Sequence, residues 1–146
     1  MPARVSTVLA RKGTVVATIA PDAPLTSAAL KLAEYDVGAL VVSEDGTTVD
    51  GILSERDLVR EIARSGLVHW ARRPVRDVMT RDVSTCQPDH TLEDLMSMMT
   101  NQRIRHVPVL ADGKLSGIVS IGDIVKTRLD ELEVQAKALE QYVSGA

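Results

Sequence analysis

Two serine–aspartate pairs of identical spacing, Ser54-x-x-Asp57 and Ser120-x-x-Asp123, are the residues of this sequence best placed to do chemistry. Each follows a short β-forming run that starts with glycine, Gly51-Ile52-Leu53 and Gly117-Ile118-Val119, and each opens an apolar stretch of helical character. A hydroxyl and a carboxylate so spaced have a structural use, because they cap the free N–H groups of a first helical turn. The same junction also suits an anionic ligand. Helix N-terminal N–H groups and partial positive charge attract phosphate, while a carboxylate beside them can accept hydrogen bonds from two ribose hydroxyls. Arg56 adds a guanidinium fork able to grip two phosphate oxygens, and Gly122 stands at its place in the second pair.

A second cluster is Arg103-Ile104-Arg105-His106-Val107-Pro108-Val109. Read as a strand, it puts Arg103 and Arg105 on one face and His106 on the other. Its counterpart in the first half is Val37-Gly38-Ala39, where small residues replace Arg105 and His106. His69, His90, His106 and Cys86 show no metal-ligand spacing. No Walker loop, GxSxG or HExxH is present, and no carboxylates form an evident acid/base pair, so catalysis is the least supported reading.

The elements that must position these residues follow from periodicity and turn signals. Thr14 to Ile19 reads as a strand, Ala20 to Pro24 as a turn, and Leu25 to Tyr35 as a helix with Leu25, Ala28, Ala29 and Leu32 on its buried face. Val37 to Val42 and Thr48 to Leu53 form a hairpin across Glu44-Asp45-Gly46, and Ser54 caps a helix that Gly66 ends near Ser65. The order then restarts. A strand from Val83 to Cys86, a turn at Gln87-Pro88-Asp89 and a helix opened by Thr91-x-x-Asp94, with Leu92, Leu95, Met96 and Met99 inward, precede a hairpin of Ile104–Leu110 and Leu115–Val119. Pro21 aligns with Pro88, Leu25 with Leu92 and Val42 with Val109; one residue is lost in the second hairpin, after which Asp57 aligns with Asp123. The chain is an internal duplication of a β-α-β-β-α unit, an α/β (α+β) fold whose repeats, 11–66 and 83–127, flank a connector at 67–82 and precede a helical extension at 128–146.

This repeated order, ending each time in Gly-apolar-apolar-Ser-x-x-Asp, resembles the cystathionine-β-synthase (CBS) domain, which occurs as tandem pairs; the likeness covers about residues 11–127, and small bacterial stand-alone CBS pairs are most similar. The resemblance implies a pseudo-two-fold pair that senses energy or redox state by binding AMP, ADP, ATP, NAD or S-adenosylmethionine in clefts between repeats, without catalysis or a catalytic cofactor. It carries a nucleotide-binding role onto Val37, Gly38, Ala39, Ser54, Arg56, Asp57, Ile104, Arg105, His106, Pro108, Ser120 and Asp123. The aspartates grip ribose, Val37 or Ile104 packs on adenine, and the basic run resembles a phosphate-meeting His-Arg segment of the AMP-activated kinase γ subunits, in reversed order. Each cleft then has its own basic complement, Arg56 in the first and Arg105 with His106 in the second.

Composition sets the outer bounds. The 146 residues hold no Phe, one Trp and two Tyr among 45% hydrophobic residues, so the core is aliphatic. A net charge of −3 gives no footprint for nucleic acid, and Arg72, Arg73, Arg76 and Arg81 form at most a solvated basic edge. A lone Cys86, no secretory leader pattern and no run of about 18 apolar residues place the expectation in the cytoplasm without a membrane span. Leu129, Leu132, Ala136, Leu139 and Val143 step by threes and fours along the last helix, a two-heptad seam that packs on its own pair or on a second subunit. A homodimer and an unidentified protein effector are the expected partners. The alternatives are a dimerisation module without ligand and a nucleic-acid regulator.

Overall fold

The computed structural model describes residues 3–13 and 15–145. Thr14 of the first expected strand and Ala146 of the extension lie outside the described residues. The elements are α1 (Val5–Lys12), β1 (Thr18–Ile19), α2 (Leu25–Tyr35), β2 (Ala39–Val42), β3 (Gly51–Ser54), α3 (Glu55–Ser65), α4 (Leu67–Arg72), a 3-10 turn (Val75–Asp77), α5 (Leu92–Gln102), β4 (His106–Ala111), β5 (Lys114–Ser120) and α6 (Ile121–Gly145). In the first repeat β1 runs parallel to β2, and β2 runs antiparallel to β3. In the second, β4 and β5 form an antiparallel hairpin. The strand expected over Val83 to Cys86 is reduced to one parallel bridge, Cys86 to Val109.

The duplication is visible in bond patterns as well as in order. Both α2 and α5 end on a non-glycine residue in the left-handed region, Asp36 at φ 52° and Arg103 at φ 55°. The next N–H in each case reaches back to a helix carbonyl, Val37 to Leu32 and Ile104 to Met99, both at 3.1 Å. These caps turn the chain sharply toward the hairpin strands. Arg103 therefore belongs to the helix end and not to β4, which overturns the strand-face pairing of Arg103 with Arg105.

Each repeat builds its own aliphatic core. Leu25, Ala28, Leu32, Leu40, Val42, Leu53 and Leu58 form the first, and Leu92, Leu95, Met99, Val107, Val109, Val119 and Ile124 the second. The lead-in segments are exchanged between them. Val5, Val8 and Leu9 of α1 precede repeat one but complete the core of repeat two. Trp70, Val75, Val78 and Met79 precede repeat two but pack on repeat one. Matching bonds hold the two segments, Val5 N–H to the His90 carbonyl at 2.9 Å and Val75 N–H to the Ala23 carbonyl at 2.8 Å. Exchanged lead-ins tie the repeats together, because neither core is complete without residues that stand before the other.

Candidate functional site

Ser54 and Asp57 sit where β3 passes into α3, and they form a reciprocal cap. The Asp57 Oδ2 accepts from the Ser54 N–H at 2.8 Å, and the Asp57 N–H donates to the Ser54 Oγ at 3.3 Å. Ser120 and Asp123 repeat this at 2.9 and 3.1 Å, and Thr91 with Asp94 at 3.0 and 3.1 Å. The capping role is thus real at all three junctions. It uses one carboxylate oxygen, which leaves the other available for a different partner.

Between the repeats lies a cleft of about 460 Å³. From repeat one, Gly38, Ala39, Ser54, Arg56 and Asp57 line it, and from repeat two Ile104, Arg105, His106 and Ser120. Val37, Pro108 and Asp123 stand outside this lining. Val37 packs against the first core, and Pro108 is buried in β4 opposite Ile118. Arg56, Arg105 and His106 share one cleft, where separate basic complements were expected.

Sequence reasoning missed several neighbours. Glu55 and Arg60 on α3, Gln102 and Arg103 at the end of α5, and Thr80, Asp82, Val83 and Ser84 also face the cleft. Arg60 was legible, since it stands one helical turn from Arg56. The segment Thr80–Ser84 was not, because it reaches the cleft only through its bridge to repeat one, where Thr80 and Ile52 exchange bonds of 2.9 and 3.0 Å. The cleft is rich in cations but carries one opposing carboxylate pair, Glu55 and Asp82, besides Asp57.

His106 of repeat two lies against Gly38 of repeat one. A Cβ on Gly38 would lie 3.2 Å from the His106 Nε2 and 3.6 Å from the Glu55 Oε1, so the room left by glycine is taken by imidazole. Burial first, then the Lys12 ammonium, lowers the His106 pKa, with Arg105 adding and Asp123 and Glu55 opposing. For Asp123, burial works upward, but the hydrogen bond from Lys12 and the Ser120 N–H hold it below its ordinary value.

A family model described as "CBS domain" matches residues 10–64 and 75–130. The chain belongs to the CBS-domain family. The CBS-domain containing protein ATU1752 from Agrobacterium tumefaciens is 44% identical to this CBS pair, with a TM-score of 0.82 over 86% of this chain and 99% of that one. A 17.7 kDa protein of Acidianus ambivalens is 33% identical over 90% of this chain and 79% of its own length. The solved CBS domain pair of protein MJ0100, crystallised with 5-methylthioadenosine and S-adenosyl-L-methionine, shares the fold at 22% identity and a TM-score of 0.78, covering 90% of this chain and 99% of that one.

Other parts of the CBS pair fall into structural roles. Arg73 pairs with Glu61 at 3.2 Å, Arg76 with Asp22, and Arg81 donates to the Arg76 carbonyl, so much of the basic edge is neutralised within the fold. Cys86 is buried, and burial pushes its thiol up to about 12, where no reactive thiolate forms near neutrality. Among the described residues no cluster of His, Cys, Asp or Glu has metal-binding geometry, and no helix is long and apolar enough to cross a membrane.

Proposed function

We propose that this CBS pair is a regulatory module that binds one adenine nucleotide, AMP, ADP, ATP or NAD, in the cleft at Asp57. The observation that carries the reading is the convergence in one opening of a helix-capping carboxylate with a free oxygen and the guanidinium groups of Arg56, Arg60, Arg103 and Arg105. Asp57 accepts the two ribose hydroxyls through Oδ1, while Ile104 and Ala39 flank the base. The arginines and the start of α3 take the phosphates. The adenosine compounds held by the MJ0100 pair support this class of ligand. Glu55 opposes a fully ionised triphosphate beside it, which favours ligands whose charge is spread or low.

A regulator must change shape or partner affinity, and ligand does so only by preferring one arrangement. The place for that change is α6, where Leu129, Leu132, Leu139 and Val143 are each about 60–70% exposed and only Ile124 and Thr127 are buried. The seam does not pack on its own pair, so a homodimer covering it is the assembly that fits. Calorimetric titration with AMP, ATP, NAD and S-adenosylmethionine, on the wild-type chain and on Asp57→Asn, tests the reading. Saturable binding lost in the variant supports it; absence of binding by all four ligands sinks it.

A further inference from the structure

The two capping aspartates meet different neighbours, and the difference comes from the exchanged lead-ins. In repeat one, the 3-10 turn Val75–Asp77 ends early, and the extended chain that follows brings the backbone of Thr80 onto the Ile52 carbonyl at 2.9 Å. In repeat two, α1 stays helical through Lys12. The Lys12 Nζ then takes over the equivalent carbonyl, Ile118, at 2.8 Å, and with a second proton donates to the Asp123 Oδ2 at 2.6 Å. Both partners of this ion pair are largely withdrawn from solvent, with side-chain exposures of 30% and 24%. The space left around them is a hollow of about 250 Å³, whose Arg11 is itself paired with Asp130. Among the described residues Asp57 has no such cation: its Oδ2 is used by the cap, and it opens on the larger cleft.

We infer that Lys12 is a built-in counter-charge at Asp123, neutralising the carboxylate through its cap oxygen at the hollow between α1 and α6, so that the chain binds one nucleotide, at Asp57, until Lys12 is withdrawn. This deepens the proposed function and rests on it. A ligand turning its hydroxyls to Asp123 meets a carboxylate whose charge an ammonium already compensates, and moving that ammonium aside leaves the Ile118 carbonyl without its donor, whereas the Asp57 carboxylate is bonded by its cap.

Titration of four full-length proteins separates this inference from the reading beneath it. With AMP, ATP, NAD and S-adenosylmethionine in turn, the wild type is expected to bind one equivalent per chain, Lys12→Met two, Asp57→Asn none and Asp57→Asn with Lys12→Met one. Lys12→Arg keeps the cation and is expected to stay at one, which controls for disturbed packing of α1. Two equivalents in the wild type, or one in Lys12→Met, overturns the plug while leaving the Asp57 site standing. Weaker binding in Lys12→Met would make Lys12 a ligand-holding residue and also overturn it. A wild type that binds nothing beside a double variant that binds one equivalent would instead remove the Asp57 site and keep the plug; no binding by any variant removes both. Should Lys12→Met fail to fold, acetylation of the native chain decides: Lys12 is expected to react at least about tenfold more slowly than Lys126, and Asp123→Asn to abolish that protection. Equal rates overturn the inference.

Discussion

Repeat one and repeat two carry the same cap on the same strand-to-helix junction, yet one carboxylate faces an open cleft and the other a lysine. The motif residues do not cause this difference, since Ser54, Asp57, Ser120 and Asp123 make bonds of nearly the same length. It arises in the segment that each repeat borrows. A helix that runs one turn further delivers a side chain where an extended strand delivers a backbone amide. In duplicated folds the site is therefore set as much by what lies against the repeat as by the repeat itself.

The sharpest way to test that comparison is at the equivalent glycines of the two hairpins, Gly51 at the start of β3 and Gly117 within β5. A Cβ on Gly51 would meet the Met79 Sδ at 2.5 Å and the Thr80 carbonyl oxygen at 2.9 Å, whereas the nearest neighbour of one on Gly117 is the Leu9 side chain, at 2.6 Å. Backbone cannot retreat as a leucine methyl can. Gly51→Ala is expected to destabilise by about 3 kcal/mol and Gly117→Ala by about 1 kcal/mol in urea unfolding. Equal losses would show that the two lead-ins yield alike.

Ligand affinity comes next. Asp57→Ala is expected to weaken nucleotide binding by roughly 10- to 100-fold, the worth of charged hydrogen bonds, and Asp123→Ala to leave it within about threefold. Calorimetry on both variants breaks the asymmetry if the order is reversed. Stability separates them in the opposite sense. Each substitution removes a cap worth about 0.5–2 kcal/mol, but Asp123→Ala also leaves Lys12 without its counter-charge and should fall at the upper end. Thermal melts of the unliganded variants check this.

The smallest effect is a pH dependence at His106, the residue that faces both motifs. Its pKa lies below the ordinary 6.5 in the fold, so the unfolded chain takes up a proton first. Stability is then intact above that value and declines as pH falls through it toward the folded pKa. The groups around it are Lys12, Asp123, Glu55 and Arg105. Urea midpoints at about pH 7.5 and about pH 5.5 should differ more for the wild type than for His106→Gln. Bound phosphate, which favours the imidazolium, should reduce the wild-type difference.

The sequence was enough for the duplication, the paired helices and hairpins of the two repeats and the three capping boxes, because hydrophobic period, turn residues and caps act within a few residues of one another; it left α4 and the 3-10 turn within a connector and read a strand over Val83 to Cys86 where one bridge stands. It also placed Gly38, Ala39, Ser54, Arg56, Asp57, Ile104, Arg105, His106 and Ser120 among the candidates that the cleft brings together. It misjudged Arg103, whose left-handed cap geometry has no glycine to announce it; it gave each cleft its own basic complement, with the two arginine-bearing segments converging where a single cleft binds, and the structure brings both segments to one cleft.

What the sequence determined by itself was the pair of repeats and the capped strand-to-helix junctions that close each of them. Only the tertiary structure decided that α6 leaves its apolar seam uncovered, that His106 fills the space over Gly38, and that Lys12 lies on Asp123. Those outcomes depend on contacts between residues far apart in the chain, Lys12 and Asp123 above all. No local pattern encodes them, because each is set by how the exchanged lead-ins finish the two cores.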